Sequence, residues 1–105
     1  MSFLDVAATY DYVDYEEITV SSTAVGCTST KVQPTGARKR RGAWIVIKTA
    51  AINYRMDPDA ASVTTSTGIP VAANGDFTVD GHNNLSQLRM IAQSGDATAL
   101  VHYYE

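Results

Sequence analysis

Hydrophobic positions along this chain fall in short runs, and Gly, Pro, Asn and Asp separate the runs. Short apolar runs bounded by such turn residues are typical of β-strands. No long segment follows the period of a helix, so the pattern predicts an all-β chain. The predicted strands are Glu17–Ser21, Cys27–Val32, Ala43–Thr49, Ile52–Met56, Val63–Thr65, Ile69–Val71, Asp76–Val79, Leu88–Ala92 and Ala97–Tyr103.

The run Ala43–Thr49 is apolar on both faces apart from Lys48. This pattern favours a central strand packed on both sides, with Trp44 in the core. Ile52–Met56 follows within hairpin distance, which predicts an antiparallel hairpin between the two runs. Proline removes a backbone donor, so Pro70 indicates a sheet edge.

Short strands with closely spaced turn signals predict a small antiparallel β-sandwich or barrel over residues 17–105. The preceding residues 1–16 are predicted to form an extended N-terminal arm. A short helical turn at Asn84–Gln87 is compatible with the pattern. At 105 residues, the chain has the usual size of one domain with one core.

Composition narrows the class of protein further. Cys27 is the single cysteine, which excludes an internal disulfide and a cysteine-based metal cluster within one chain. No apolar run approaches the roughly 20 residues needed to span a bilayer, and residues 1–5 lack the pattern of a signal peptide. We therefore expect a chain that is made in a cytoplasm, stays soluble and has no membrane partner.

Charge is segregated along the chain in the order acidic, basic, acidic. Residues 1–30 hold five acids and no base, residues 31–55 hold seven bases and no acid, and residues 56–105 hold six acids against Arg89 alone. The net charge is −3. Such asymmetry bears on association more than on fold, and it fits either contacts between copies or an acidic partner.

The sharpest charge feature is the basic cluster, defined here as Arg38, Lys39, Arg40 and Arg41. Four consecutive bases repel one another, so the basic cluster is predicted to protrude. It is either a solvated loop with nothing bound or a contact with an acidic surface, namely a protein shell or the acidic arm of a neighbouring copy. Nucleic-acid binding is disfavoured because the chain is acidic, with a pI of about 5.2, and carries no known binding motif.

Tyrosines form the second feature, and three of them lie in the N-terminal arm at Tyr10, Tyr12 and Tyr15. Tyrosine is enriched at interfaces because it adds a large amphipathic surface at little entropic cost. It is also an ordinary strand residue. We predict an arm that packs on the sheet or on a neighbouring copy.

No constellation of catalytic or metal-ligating residues is found. His82 and His102 lack the spacing of a zinc site, and Asp57-Pro58-Asp59 lacks the ligand sequence of an EF-hand. The serines do not lie in a Gly-x-Ser-x-Gly elbow. We therefore predict no catalytic, cofactor-binding or metal-binding residues and a protein that is not an enzyme.

The order of motifs in the second part of the chain is distinctive. An arginine-bearing loop leads into Arg41–Ile47, then come Ile52–Arg55, Thr67–Val71, Asn74–Phe77, Leu88–Ala92 and an alanine-rich closing run at Ala97–Tyr103. Over roughly Gly36–Glu105 this order resembles small β-sandwich proteins encoded among the structural genes of tailed bacteriophages. The resemblance implies a virion component without catalytic residues.

From this resemblance we expect a capsid decoration (cement) protein that binds and stabilises the phage head. The implied partners are the major capsid protein or other virion proteins, the implied state is a homo-oligomer, and the implied location is the virion after synthesis in the host cytoplasm. The alternatives are a head-to-tail connector or tail ring component, and a receptor- or carbohydrate-binding module of a fibre using Trp44, Asn53 and Tyr54. The predicted partner-binding residues are Arg38, Lys39, Arg40, Arg41, Tyr10, Tyr12 and Tyr15.

Overall fold

The computed structural model describes residues 11–105. The strands are β1 (Tyr12–Val20), β2 (Gly42–Lys48), β3 (Ile52–Arg55), β4 (Ile69–Val71), β5 (Asp76–Asp80), β6 (Arg89–Ala92) and β7 (Ala97–Tyr104). Two short helices, α1 (Ser29–Val32) and α2 (His82–Gln87), and a 3-10 turn at Ala60–Ser62 lie between them. The strands form a four-stranded sheet in the order β1-β7-β2-β5 and a three-stranded sheet in the order β4-β3-β6. The prediction of a small all-β sandwich is confirmed.

Alternation of side chains in the four-stranded sheet builds most of the core. Val101 of β7 lies opposite Ile45 of β2, and Ala99 lies opposite Ile47, so small and large side chains alternate across the inner face. All four are completely buried. Because a slip of one residue would turn every inner side chain outward, this register is strongly specified.

The three-stranded sheet closes the core from the other side. Ile52, Tyr54 and Met90 are buried among the side chains of the four-stranded sheet. The ring of Tyr54 stacks on Phe77 of β5, with ring centroids 4.0 Å apart and planes inclined by 6°. This stacked pair joins the two sheets, since β3 and β5 belong to different ones.

The predicted hairpin between the second and third strands is wrong. β2 pairs with β5 and β7, whereas β3 pairs with β4 and β6. Thr49, between β2 and β3, has a φ of 80°, and the Ala50 N–H donates to the Lys48 carbonyl at 3.0 Å. The chain therefore turns sharply and passes from one sheet to the other.

Two further predicted strands are also wrong. Ser29–Val32 within the predicted strand Cys27–Val32 is helical, because the Val32 and Gln33 N–H groups donate to carbonyls four residues earlier. The predicted strand at Val63–Thr65 is a loop in which the Thr64 N–H donates to Thr67 Oγ1 at 3.0 Å. Hydroxyl side chains compete here with a sheet ladder for the backbone groups.

Other predictions of local structure hold. β4 is an edge strand that contains Pro70, and α2 includes the predicted helical turn. The boundary predicted at residue 16 lies inside β1, which runs to Val20 and has a shift of register against β7 between Tyr12 and Asp14. The rest of the predicted arm, residues 1–10, lies outside the described residues. Among the helices of residues 11–105, none has the length and apolar character needed to cross a membrane.

Candidate partner-binding surface

Aromatic side chains gather on the outer face of the four-stranded sheet. Tyr15 of β1 lies opposite His102 of β7, which in turn lies opposite Trp44 of β2. The ring centroids are 5.0 Å apart for Tyr15 and His102 and 6.3 Å apart for Trp44 and His102. Tyr12 joins them at 5.6 Å from His102. We call Tyr12, Tyr15, Trp44 and His102 the aromatic face.

Parts of the aromatic face are open to solvent. Tyr15 is 41% exposed, and His102 is exposed. Trp44 is half-buried on this outer face, so the prediction that it belongs to the core is wrong. Its neighbours Ala43 and Ile45 are completely buried, and the side chain between two inward-pointing residues of a strand must point outward.

A buried tyrosine supports one end of the aromatic face. Tyr104 is fully buried, and its hydroxyl lies 3.2 Å from the Val79 carbonyl oxygen and 3.0 Å from Asp80 Oδ1. Its ring lies against the backbone of Gly42, the neighbour across the ladder. At β5, the Trp44 Nε1–H donates to Asp76 Oδ2 at 3.1 Å. These bonds hold the outer face in a fixed shape.

The basic cluster is fastened to the same end of the sheet. The Arg41 N–H donates to the Tyr104 carbonyl at 3.0 Å, and Arg41 Nε lies 3.3 Å from Asp80 Oδ1. Arg40 Nη1 lies 3.4 Å from Glu105 Oε2, and the Arg40 side chain is only 11% exposed. The prediction that the whole basic cluster protrudes is therefore wrong for Arg40, which the Glu105 carboxylate draws against the sheet.

Arg38 and Lys39 carry the available positive charge of the basic cluster. Both are exposed, and within the described part of the chain neither forms an ion pair. Arg41 immediately precedes β2, whose first residue pairs with Tyr104, and Tyr104 in turn pairs with Tyr12. The segment that carries these two cations therefore leads into the end of the sheet where the aromatic face begins, and we call Arg38 and Lys39 the positive rim.

The structure thus brings several predicted residues together and separates others. Tyr12 and Tyr15 share one face with the basic cluster at its end, while Tyr10 lies outside the described residues. Tyr54 and Asn53 are buried in the three-stranded sheet, so they share no surface with Trp44. His102 was missed as a member of this face, although its alternation with buried Val101 and Tyr103 was a usable signal.

The described residues give no metal-binding arrangement: residues 11–105 contain no group of three or more His, Cys, Asp or Glu side chains placed to hold an ion. His82 instead contacts the backbone of the basic cluster, with Nδ1 3.0 Å from the Arg40 carbonyl oxygen.

No family model, curated protein or solved structure matches this chain. Any function proposed for this chain therefore rests on its own residues and on the resemblance described above.

A separate polar network lies on the inner side of β1. The Glu16 carboxylate accepts hydrogen bonds from the Tyr103 hydroxyl and from Thr28, through Oγ1 at 2.6 Å and the backbone N–H at 3.2 Å. Burial raises the pKa of the adjacent Cys27 thiol from 9.0 to about 11; the Tyr103 hydroxyl opposes this rise, and Glu16 adds to it. At neutral pH the thiol is protonated and a poor nucleophile.

We expect the free energy of unfolding to decrease at alkaline pH because the pKa of Cys27 is higher in the folded chain than in the unfolded one. Between pH 9 and 11 the thiol ionises in the unfolded chain while it stays protonated in the folded one, so the free energy of unfolding decreases as pH rises. Two pKa units correspond to at most about 3 kcal/mol. Urea unfolding at pH 8 and pH 10.5 measures the fall, and the Cys27→Ala variant should show a smaller one. Equal falls in both proteins would contradict the assignment.

Proposed function

We propose that this chain is a non-enzymatic structural protein that binds the outer surface of a larger protein assembly through its aromatic face. We further propose that the assembly is the capsid of a tailed bacteriophage, which the chain decorates and stabilises. The observation that carries the binding proposal is the aromatic face with exposed Arg38 and Lys39 at its end. The sequence resemblance described above supports the choice of a capsid.

The side chains on this surface suit protein recognition. Tyrosine and tryptophan supply large contact areas with few rotatable bonds, and they are enriched among the residues that dominate binding energy. Val13 and Tyr15 of β1 are 40% and 41% exposed, which extends the apolar area to the sheet edge. Arg38 and Lys39 fit an acidic partner, whose approach they would accelerate and orient.

The opposite outer face of the sandwich is already occupied by the chain itself. The Asn53 Nδ2–H donates to the Thr64 carbonyl at 3.1 Å, and Val63 and Ala60 are buried beside β3. Asn53 is only 5% exposed for this reason. The segment between β3 and β4 therefore covers the three-stranded sheet, which favours the four-stranded sheet as the face that meets a partner.

Decoration would stabilise a capsid through repeated copies. A module that touches two neighbouring capsid subunits makes its second contact within an already formed complex, so each contact raises the effective concentration for the next. We expect the copies to follow the closed symmetry of the shell and to act as a homo-oligomer there. The major capsid protein is the proposed partner.

The proposal is tested with capsids of the phage that carries this gene, assembled without the chain. Added wild-type chain should co-sediment with the capsids and raise their melting temperature by several degrees. The Tyr15→Ala variant and the double Arg38→Gln, Lys39→Gln variant should each bind about tenfold more weakly, which corresponds to about 1.4 kcal/mol. Lys48→Gln removes an exposed charge at the far end of β2 and should change binding less than twofold.

Absence of co-sedimentation together with an unchanged capsid melting temperature would overturn the decoration proposal. Copy number separates it from the connector alternative, because hundreds of copies per virion indicate decoration whereas about six to twelve indicate a ring. Rising salt should slow association of the wild-type chain, since the positive rim acts through screened charges.

A further inference from the structure

A cavity of about 410 Å³ lies outside the aromatic face and shares no residue with it. Its walls come from the Ala24–Cys27 segment, α1, the end of α2 and the start of β6. A volume of this size is typical of sites for small ligands or for one inserted side chain. The chemistry of its walls therefore decides which ligand the cavity fits, and this does not depend on the capsid proposal.

One cation faces this cavity in a fixed position. Arg89 Nη1 donates to the Leu88 carbonyl at 2.7 Å and to the Ser86 carbonyl at 3.3 Å. Among residues 11–105, no carboxylate lies within ion-pair distance of Arg89. These bonds use Nη1 and leave the remaining N–H groups of the guanidinium for another acceptor.

The backbone around Arg89 is shaped to admit its guanidinium. Val25 and Met90 exchange two backbone hydrogen bonds, at 2.9 Å and 2.8 Å, which hold the neighbouring Gly26 against β6. A Cβ on Gly26 would lie 2.6 Å from Arg89 Nη1 and 2.8 Å from the Leu88 carbonyl oxygen. A side chain here would have to displace both the guanidinium and the Leu88 carbonyl, so this close approach requires a glycine.

The other walls supply an apolar body and a polar rim. Val25 and Val32 line the cavity beside the hydroxyl-bearing Ser29 and Ser86. Val32 is 5% exposed and belongs to the core, so this wall is rigid. A short branched hydrocarbon group on a ligand would be buried against Val25 and Val32.

We propose that this cavity binds a carboxylate that carries a short branched apolar group, with Arg89 receiving the carboxylate. A guanidinium matches the planar carboxylate with two parallel N–H donors. A doubly charged phosphate fits this cavity less well, because Arg89 is the one cation among the described residues of the lining. The negative charge of the Glu16 carboxylate, which binds Thr28 between the wall residues Cys27 and Ser29, also opposes a second negative charge on the ligand. The carboxylate belongs either to a free small acid or to the C-terminus of a peptide.

Titration of the ¹⁵N-labelled full chain distinguishes these sources. The probes are 3-methylbutanoate, its neutral analogue 3-methylbutanamide, and an acetylated peptide ending in Ala-Val with either a free or an amidated C-terminus. We expect 3-methylbutanoate or the free-carboxylate peptide to shift the amide signals of Gly26, Cys27 and Ser86, and the neutral analogues to bind at least tenfold more weakly. Binding of the free acid alone identifies a small metabolite-like ligand, and binding of the peptide alone identifies a protein terminus.

Two variants assign the effect to Arg89. Arg89→Gln should weaken binding at least tenfold, whereas Lys48→Gln, which removes a positive charge from the exposed end of β2, should change it less than twofold. If Arg89→Gln does not fold, Arg89→Lys replaces it, because lysine keeps the charge but cannot offer two parallel N–H donors, and it should also weaken binding several-fold. Equal binding of acid and amide, or no shift at these amides with any probe, overturns the proposal. Neither result depends on whether the chain binds capsids.

Discussion

Replacing Gly42 with alanine is expected to destabilise the protein by about 3 kcal/mol or more. A Cβ at this position would collide with the Val79 carbonyl oxygen and the Tyr104 hydroxyl, and would lie 2.6 Å from Tyr104 Cζ. One obstacle is backbone of the paired strand β5 and the other is a fully buried ring, so neither can move cheaply. Either the ladder between β2 and β5 opens or Tyr104 leaves its site.

Chemical denaturation of the wild type and the Gly42→Ala variant measures this loss as a lower midpoint. Gly95→Ala is the matched control, because a Cβ there has no atom within 4 Å. We expect the control to unfold within about 0.5 kcal/mol of the wild type. Similar midpoints for Gly42→Ala and the wild type would show that the contact of Tyr104 with Gly42 is not tight in solution.

Truncation of Ile45 to alanine is expected to cost about 2–5 kcal/mol. Ile45 is completely buried in an interior strand, between Val101 on one side and Phe77 on the other. Removing its three outer carbons leaves a cavity that the two flanking ladders prevent from closing. The loss includes both the transfer free energy of these carbons and the empty space left behind.

Ile69→Ala makes the same chemical change on the edge strand β4, where the side chain is 50% exposed. It should cost less than about 1 kcal/mol, since a half-exposed side chain loses little burial. Urea unfolding followed by near-ultraviolet and far-ultraviolet signals gives both values. A cost for Ile45→Ala no larger than that for Ile69→Ala would refute the position of β2 in the core.

Short apolar runs separated by turn residues were sufficient to predict the sandwich class and the approximate position of most strands. The apolar run around Ile45 was correctly placed as a strand, and the alanine-rich run around Ala99 as the last strand. The partner of each strand was harder to predict, because pairing depends on how the chain turns. The sharp turn at Thr49 sends β3 to the second sheet, and threonine has no special preference for that backbone region.

The candidate surfaces were hard to predict for the same reason, because they too depend on which strands pair. Four adjacent bases predicted a protruding cluster, but the position of Glu105 beside Arg40 follows only from the register of β7 with β2. Trp44 looked like a core residue because its run is apolar on both faces. The cavity at Arg89 was not predictable, since it joins segments that only the fold brings together.

The position of β7 between β1 and β2 has a consequence for how the protein is made. Tyr12, near one end of the described chain, pairs with Tyr104, near the other, and β2 reaches β1 only through β7. β2 can pair with β5 earlier, but β1 pairs with β7, so a ribosome must release Ala97–Tyr104 before β1 can join the four-stranded sheet. Until then β1 has no strand partner, and its joining depends on contacts between residues far apart in the sequence, which form slowly.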